Sequence, residues 1–267
     1  MSKPKYASHR ILAAIAVASS AVLAPTAVSA QDEPRRVRVG LGPNVTPSYP
    51  GADSHKIGPY VDVDTARGDA PFAYEAPDES FSLPLINLGD IYIGPTLSLT
   101  GSRDAGDAPG LREIDTTVEV GASISATITP NVYAFVEGAR GIGGHDGWKG
   151  QAGVDYVMRS GDDWLFSIGP RASFGFGKYM DAYYGISAPE SPAASLPPFD
   201  PDGGLESVGG TASTVLSLGG PWGVSGYVRY ERLVGDASDS PVTRAFGSRD
   251  QISGGVGLNY TFNWNGF

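Results

Sequence analysis

An all-β fold, a transmembrane antiparallel β-barrel of about twelve strands with ten as the lower count, is what this sequence predicts. Three observations lead there. The final long stretch, Gly247 to Phe262, alternates from Gln251 on. Ile252, Gly254, Val256, Leu258, Tyr260 and Phe262 fall on one side, and Ser253, Gly255, Gly257, Asn259 and Thr261 on the other. A period of two sends these sets to opposite faces of a strand. Beyond the first thirty residues no run approaches the roughly 18 uninterrupted apolar residues of a membrane helix, so any crossing must use strands. Finally, the connections alternate between short and long, as expected for periplasmic turns and external loops. A soluble sandwich remains the competing architecture for the alternation alone.

The chain opens with an address. Lys3, Lys5 and Arg10 precede an apolar run, Ile11 to Leu23, and Ala27-Val28-Ser29-Ala30 offers a small-residue cleavage site. This pattern predicts a cleaved secretory signal peptide over 1–30 and a barrel over 31–267. No Cys follows the site, which argues against a lipoprotein anchor; with Cys absent throughout there is also no disulfide framework and no thiolate metal site. Of 19 basic residues three lie in the leader, leaving 16 against 29 acidic ones, a net charge of −13. A surface this acidic argues against nucleic acid as a partner.

Strands are expected in order at Arg36 to Val45, Lys56 to Thr65, Phe72 to Ala76, Ser80 to Asn87 and Ile91 to Thr100. Glu113 to Ile128, Val132 to Ala139, Trp148 to Met158 and Trp164 to Phe176 follow, then Leu205 to Leu218, Trp222 to Val234 and Gln251 to Phe262. Ile91 to Thr100 sets Ile91, Ile93, Leu97 and Leu99 against Tyr92, Gly94, Thr96 and Ser98. Splitting Pro71 to Asn87 into a hairpin keeps the strand number even and both termini periplasmic; without it the count is odd. Trp148, Trp164, Trp222 and Trp264 all fall at strand ends, as interfacial girdles require.

Several stretches resemble the MipA/OmpV family, named for the MltA-interacting protein. They are SYPGAD (Ser48 to Asp53), GIGGHDG (Gly141 to Gly147), KYMDAYYGIS (Lys178 to Ser187), GDASDSPVTR (Gly235 to Arg244) and GSRDQ (Gly247 to Gln251). The resemblance spans nearly the whole chain after the leader and implies an outer-membrane barrel. It also implies a scaffold that links a lytic murein transglycosylase to a penicillin-binding protein; other members are described as adhesins or small channels. Members usually stop at the aromatic that closes the last strand, here Phe262. Tyr260 and Phe262 are accordingly the barrel-closing aromatics, with outer-membrane lipid and lipopolysaccharide as surroundings.

Candidate chemistry is sparse. His145 beside Asp146 could suggest an oriented imidazole, but no Ser stands in an elbow-like context, and Gly143 to Gly147 reads as a tight turn with a polar tip. No enzyme activity, cofactor or metal is expected. Tyr179, Met180, Asp181, Tyr183 and Tyr184 open the longest loop and are candidates for an interaction surface or an inward plug. Asp62, Glu119, Glu137, Asp155, Arg171, Arg229 and Glu231 lie on the polar side of their alternations and are candidate lumen charges. In a pore they would set ion preference; in a closed barrel they would cross-link the interior.

Overall fold

The computed structural model describes residues 34–264. The leader expected at 1–30 and the last residues, 265–267, lie outside the described residues. The strands are β1 (Arg35–Pro47), β2 (His55–Arg67), β3 (Phe81–Ser82), β4 (Ile86–Asn87), β5 (Ile91–Thr100) and β6 (Thr117–Thr129). They continue as β7 (Val132–Ile142), β8 (Trp148–Ser160), β9 (Trp164–Phe176), β10 (Gly204–Gly219), β11 (Trp222–Leu233) and β12 (Asp250–Trp264). Short helices α1 (Lys178–Tyr183), α2 (Glu190–Ala194), α3 (Gly235–Asp239) and α4 (Pro241–Phe246) lie in the external connections.

All twelve strands belong to one curled antiparallel sheet, in the order β2-β1-β12-β11-β10-β9-β8-β7-β6-β5-β3, with β4 also on β5. The first long strand pairs with the last, Val37 facing Phe262 and Val39 facing Tyr260. Tyr260 and Phe262 therefore sit at the joint between the two chain ends.

The burial pattern is inside out. On β9 Phe166 and Ile168 are 43% and 59% exposed, whereas Ser167 and Arg171 between and beyond them are 4% and 3% exposed. On β12 Ile252, Val256, Leu258, Tyr260 and Phe262 are exposed, while Gln251 and Asn259 are buried. A water-soluble sandwich would bury the apolar set. Exposing it all around the sheet is stable only where the surroundings are hydrocarbon and the lumen is polar. The tryptophans open β8, β9 and β11 and close β12, which places them at the rims of this apolar belt.

The short turns have a common solution. Gly68, Gly89, Gly161, Gly219 and Gly220 adopt positive φ, which side chains resist, in all the short turns but Thr129 to Asn131.

One expected strand is absent. Phe72 to Ala76 joins no ladder, and the segment from Gly68 to Ser80 instead climbs inside the barrel. The expected Ser80 to Asn87 strand is the pair β3 and β4, interrupted at Pro84, whose ring lacks the donor a ladder needs. The reason lies in the side chains. Phe72 stacks beneath the guanidinium groups of Arg36 and Arg38, 4.8 and 4.5 Å from its ring centre. Tyr74 meets Tyr133 edge to face at 5.1 Å and donates to Ser167 at 2.8 Å. Its inner contacts outweigh a place in the wall, and among the described residues no ladder joins β2 to β3, β4 or β5. The sheet is a barrel with a seam. Similarly, Glu113 to Thr116 precedes β6, because Ile114 is drawn into a bridge with Arg103.

Above the strand ends the external connections fold into one cap. Tyr49 and Ala52 from the β1–β2 loop, Ile114, Tyr179, Met180, Tyr183 and Tyr184 around α1, and Ala237 of α3 share one buried cluster. Gly147 makes this possible, since a Cβ there would lie 2.0 Å from the backbone nitrogen of Tyr179. Gly147→Ala should therefore push α1 off its seat and cost about 1–3 kcal/mol, the usual range for overpacking. Thermal unfolding of the refolded protein in detergent reads the loss; an unchanged midpoint would show that the close approach is not required.

Candidate functional site

The inside of the barrel holds three layers of polar contacts, and the segment Gly68 to Ser80 threads the lower two. At the turn end, Arg36 contacts Asp162 at 3.0 Å and donates to the carbonyl of Gly68 at 2.7 Å. Arg38 pairs with Asp64 at 2.8 Å, and Arg159 donates to the carbonyl of Phe72 at 2.7 Å. These cations hold the entry of the segment by its backbone as well as by the Phe72 ring.

The middle layer is built on Arg171. Strand β9 delivers its guanidinium to the lumen because alternate residues share a face. Two nitrogens bind Asp155 of β8, at 2.9 and 3.0 Å, and two bind Asp78 of the inner segment, at 2.8 and 2.9 Å. A planar guanidinium can hold two carboxylates in this way, and an ammonium cannot. Asp78 also accepts from Thr211 at 2.8 Å and from Arg229 at 3.0 Å; Arg229 in turn contacts Glu231 at 2.7 Å. Ser80 ends the segment by donating to Glu137 through both its amide and its hydroxyl.

The upper layer centres on Glu119. It accepts from Ser98 and Thr100, both at 2.6 Å, and meets Lys149 at 2.7 Å and His145 Nε2 at 3.1 Å. His145 is not the polar tip of a turn. Its ring is buried, and its Nδ1 accepts from the amide of Gly147 at 3.0 Å, so Nε2 carries the proton donated to Glu119. Both nitrogens are engaged, which leaves none to activate a hydroxyl nucleophile. The sequence signal was available in Gly141, where a Cβ would lie 2.2 Å from the His145 ring. That small residue makes room for an imidazole folded inward.

The structure thus brings together Asp155, Arg171, Arg229 and Glu231 in one network and Glu119 in a second, with Glu137 on the Ser80 contact. Asp62 also lies on the polar face of β2 and forms no ion pair among the described residues. Sequence reasoning missed Asp78, which falls between the expected strands Phe72 to Ala76 and Ser80 to Asn87. It also missed Lys149 and Glu206, which alternation alone does not distinguish from other strand residues.

The loop candidates need a correction as an interaction surface. Tyr179, Met180, Tyr183 and Tyr184 are withdrawn from solvent, and only Asp181 is half-buried. They face the barrel mouth because Glu206, at the start of β10, is itself buried and accepts hydrogen bonds from the hydroxyls of Tyr179, at 2.7 Å, and Tyr184. Buried carboxylates require such donors. Arg103 locks the lid from the side, donating to the carbonyls of Tyr183 and Arg112, both at 3.1 Å. Between this lid and the Pro77 to Ser80 turn lies a chamber of about 450 Å³, lined by Glu137, Lys149, Tyr227, Arg229, Glu231 and Gln251 among others.

The sequence model of the MltA-interacting protein MipA family matches residues 39–262. The chain belongs to this family. As a member of the MipA family with an inside-out antiparallel sheet, it is an outer-membrane β-barrel. No curated protein sequence matches it. Among solved structures it is similar to the CymD monoaromatic hydrocarbon channel, with 10% identity over 88% of this chain and 89% of that one and a TM-score of 0.35. Pseudomonas aeruginosa OccK8 (OprE) shares 8% identity over 87% of this chain and 98% of that one, with a TM-score of 0.29. The Escherichia coli outer membrane protease OmpT shares 12% over 89% and 99%, with a TM-score of 0.27.

Two predictions follow from this geometry. Arg171→Ala leaves Asp78 and Asp155 buried without their shared partner and should cost about 3–5 kcal/mol. Arg171→Lys should fail to restore it, because one ammonium cannot replace two bidentate contacts. Denaturant unfolding in detergent measures both; a fully stable lysine variant would refute the double clasp. The second concerns the lid. Burial, followed by the charge of Glu206, pushes the Tyr179 and Tyr184 hydroxyls well above their ordinary value of 10.0. A raised pKa adds stability that is present below pH 10 and is lost as pH rises beyond it. Alkaline titration followed at the phenolate absorbance should therefore show a late tyrosine class that ionises only as the cap opens. Replacing both residues by Phe should remove that class.

Proposed function

We propose that this barrel is a non-enzymatic envelope scaffold, delivered through a cleaved signal peptide, that holds a murein transglycosylase, and with it a penicillin-binding protein, at the outer membrane. The observation that supports this reading best is the filled lumen. Asp78 is pinned by Arg171, Arg229 and Thr211 across the middle of the barrel, beneath an aromatic lid. A barrel with its interior cross-linked in this way is suited to being a rigid platform. The family description, MltA-interacting protein, supplies the class of partner. The platform meets the periplasm through its short turns, Leu88 to Asp90, Thr129 to Asn131, Arg159 to Asp163 and Gly219 to Pro221.

A second reading, a small channel, is favoured by the chamber of about 450 Å³ under the lid. An adhesive role would have to use the exposed stretch around Ser187 to Pro198, since the tyrosines before it are covered. Chemical cross-linking in intact envelopes, followed by purification and identification of what comes with the barrel, separates these readings. The scaffold predicts recovery of a murein hydrolase or synthase, lost when the short turns are replaced by Gly-Asn linkers while assembly persists. Recovery of assembly factors and lipopolysaccharide alone would set the scaffold aside.

A further inference from the structure

The seam between β2 and β3 poses a physical problem. Edge strand β2 has 13 residues, and its outward side chains Val61 and Val63 are exposed with the rest of the apolar belt. Backbone donors and acceptors along such an edge have no partner in hydrocarbon, and each costs several kcal/mol if left unpaired. The two edges cannot repair this by the antiparallel pairing used everywhere else. Each of β2 and β3 is followed by a short turn at the same rim, Arg67 to Ala70 and, after β4, Leu88 to Asp90, so they run in the same direction. The chain between them, Gly68 to Ser80, runs the opposite way. It alone has the polarity to pair with both.

The register also agrees. Both ends of this segment are already tight turns, with Ala70 donating to the carbonyl of Arg67 at 3.1 Å and Glu79 to that of Ala76 at 3.1 Å. Extending the first turn as a hairpin places Phe72 opposite Thr65, Tyr74 opposite Val63 and Ala76 opposite Val61. Extending the second places Tyr74 opposite Phe81 and Phe72 opposite Leu83. Thr65, Val63, Val61, Phe81 and Leu83 all face outward in the structure. Two independent turns therefore set Phe72 and Tyr74 on the lipid face and Ala73 and Glu75 toward the lumen. Seven residues, Ala70 to Ala76, reach about 23 Å along the strand, which at a tilt of about 35–45° covers about 16–19 Å of the roughly 25 Å apolar band. Inside the barrel, side chains tie the segment to β9 at two points, Tyr74 on Ser167 and Asp78 on Arg171.

We propose that Ala70 to Ala76 exchanges between lumen and wall, swinging about its two turns to close the seam, and that the vacated lumen conducts small hydrophilic solutes, cations before anions. Cation preference follows from Asp62 and Glu75, which the wall register sets side by side on the lumen face. The Arg171 and Arg229 contacts to Asp78 favour the inner position, so the plugged state is the resting one. The conducting half rests on the small-channel reading above, whereas the exchange of the segment rests on neither that reading nor the scaffold.

The chain contains no Cys, so introduced thiols report alone. Val63→Cys with Tyr74→Cys should form a disulfide on oxidation in native envelopes, since directly paired strand residues lie within disulfide reach. Val63→Cys with Ala73→Cys, one residue out of register, should stay reduced. In planar bilayers the linked protein should show steady cation-selective steps that vanish on reduction, and Asp78→Asn alone should raise the open fraction. Heat-dependent gel mobility establishes that each variant is assembled. A second measurement avoids the pair: a fluorophore on Tyr74→Cys should be quenched by lipid-borne quenchers as well as by aqueous ones. An assembled Val63→Cys/Tyr74→Cys protein that stays reduced, or a label at 74 that no lipid-borne quencher reaches, would overturn the proposal. Silence of the disulfide-linked barrel would overturn its conducting half.

Discussion

Everything inside this barrel is arranged around the guanidinium of Arg171. It binds Asp155 on the wall with one edge and Asp78 on the inner segment with the other. Without the wall contact the cation would have no fixed orientation; without the inner one the segment would have no anchor at mid-height. Burying three charges is costly in itself, and such clusters seldom add net stability over an apolar filling. Their value here is positional. An apolar lumen would admit the segment in many registers, whereas a four-bond clasp admits one.

The same logic explains the lid. Glu206, buried at the start of β10, requires donors, and the hydroxyls of Tyr179 and Tyr184 are the groups within reach. Satisfying that carboxylate pulls α1 across the mouth, and the apolar undersides of Tyr183 and Met180 then pack with Tyr49 from the first external loop. Polar satisfaction sets the position, and apolar burial holds it. The division of labour between the two effects is the reverse of a water-soluble domain, whose core is apolar and whose polar groups face out.

Much of the wall was legible in the sequence because a strand between lipid and lumen must alternate. Ile252 to Phe262 carries that pattern without interruption and Trp164 to Phe176 carries it with Leu165 as the exception, and their ends fall within a few residues of the observed strands. The lumen was legible only in part. Alternation identifies Arg171 as inward-facing but says nothing about which carboxylates meet it. Phe72 to Ala76 alternates as a strand would, and its place inside depends on Arg36, Arg38, Tyr133 and Ser167, contacts distant in sequence that no local pattern encodes. His145 was misjudged for a related reason. Gly-rich flanks signal a turn, yet here one of those glycines, Gly141, is small to admit the imidazole.

The segment that local pattern assigns to the wall and long-range contacts hold in the lumen is also the one whose absence leaves the seam. That coincidence is physically informative. A local sequence consistent with one position and tertiary contacts consistent with another describe two competing energies, not an error in either. In the lumen the segment gains the Arg171 clasp and two stacked cations on Phe72. In the wall it would gain paired backbone on both sides, where hydrocarbon makes each missing bond expensive. What tips the balance is Asp78, which holds Arg171, Arg229 and Thr211 from the inner position. The inner position is favoured as long as Asp78 keeps its arginines.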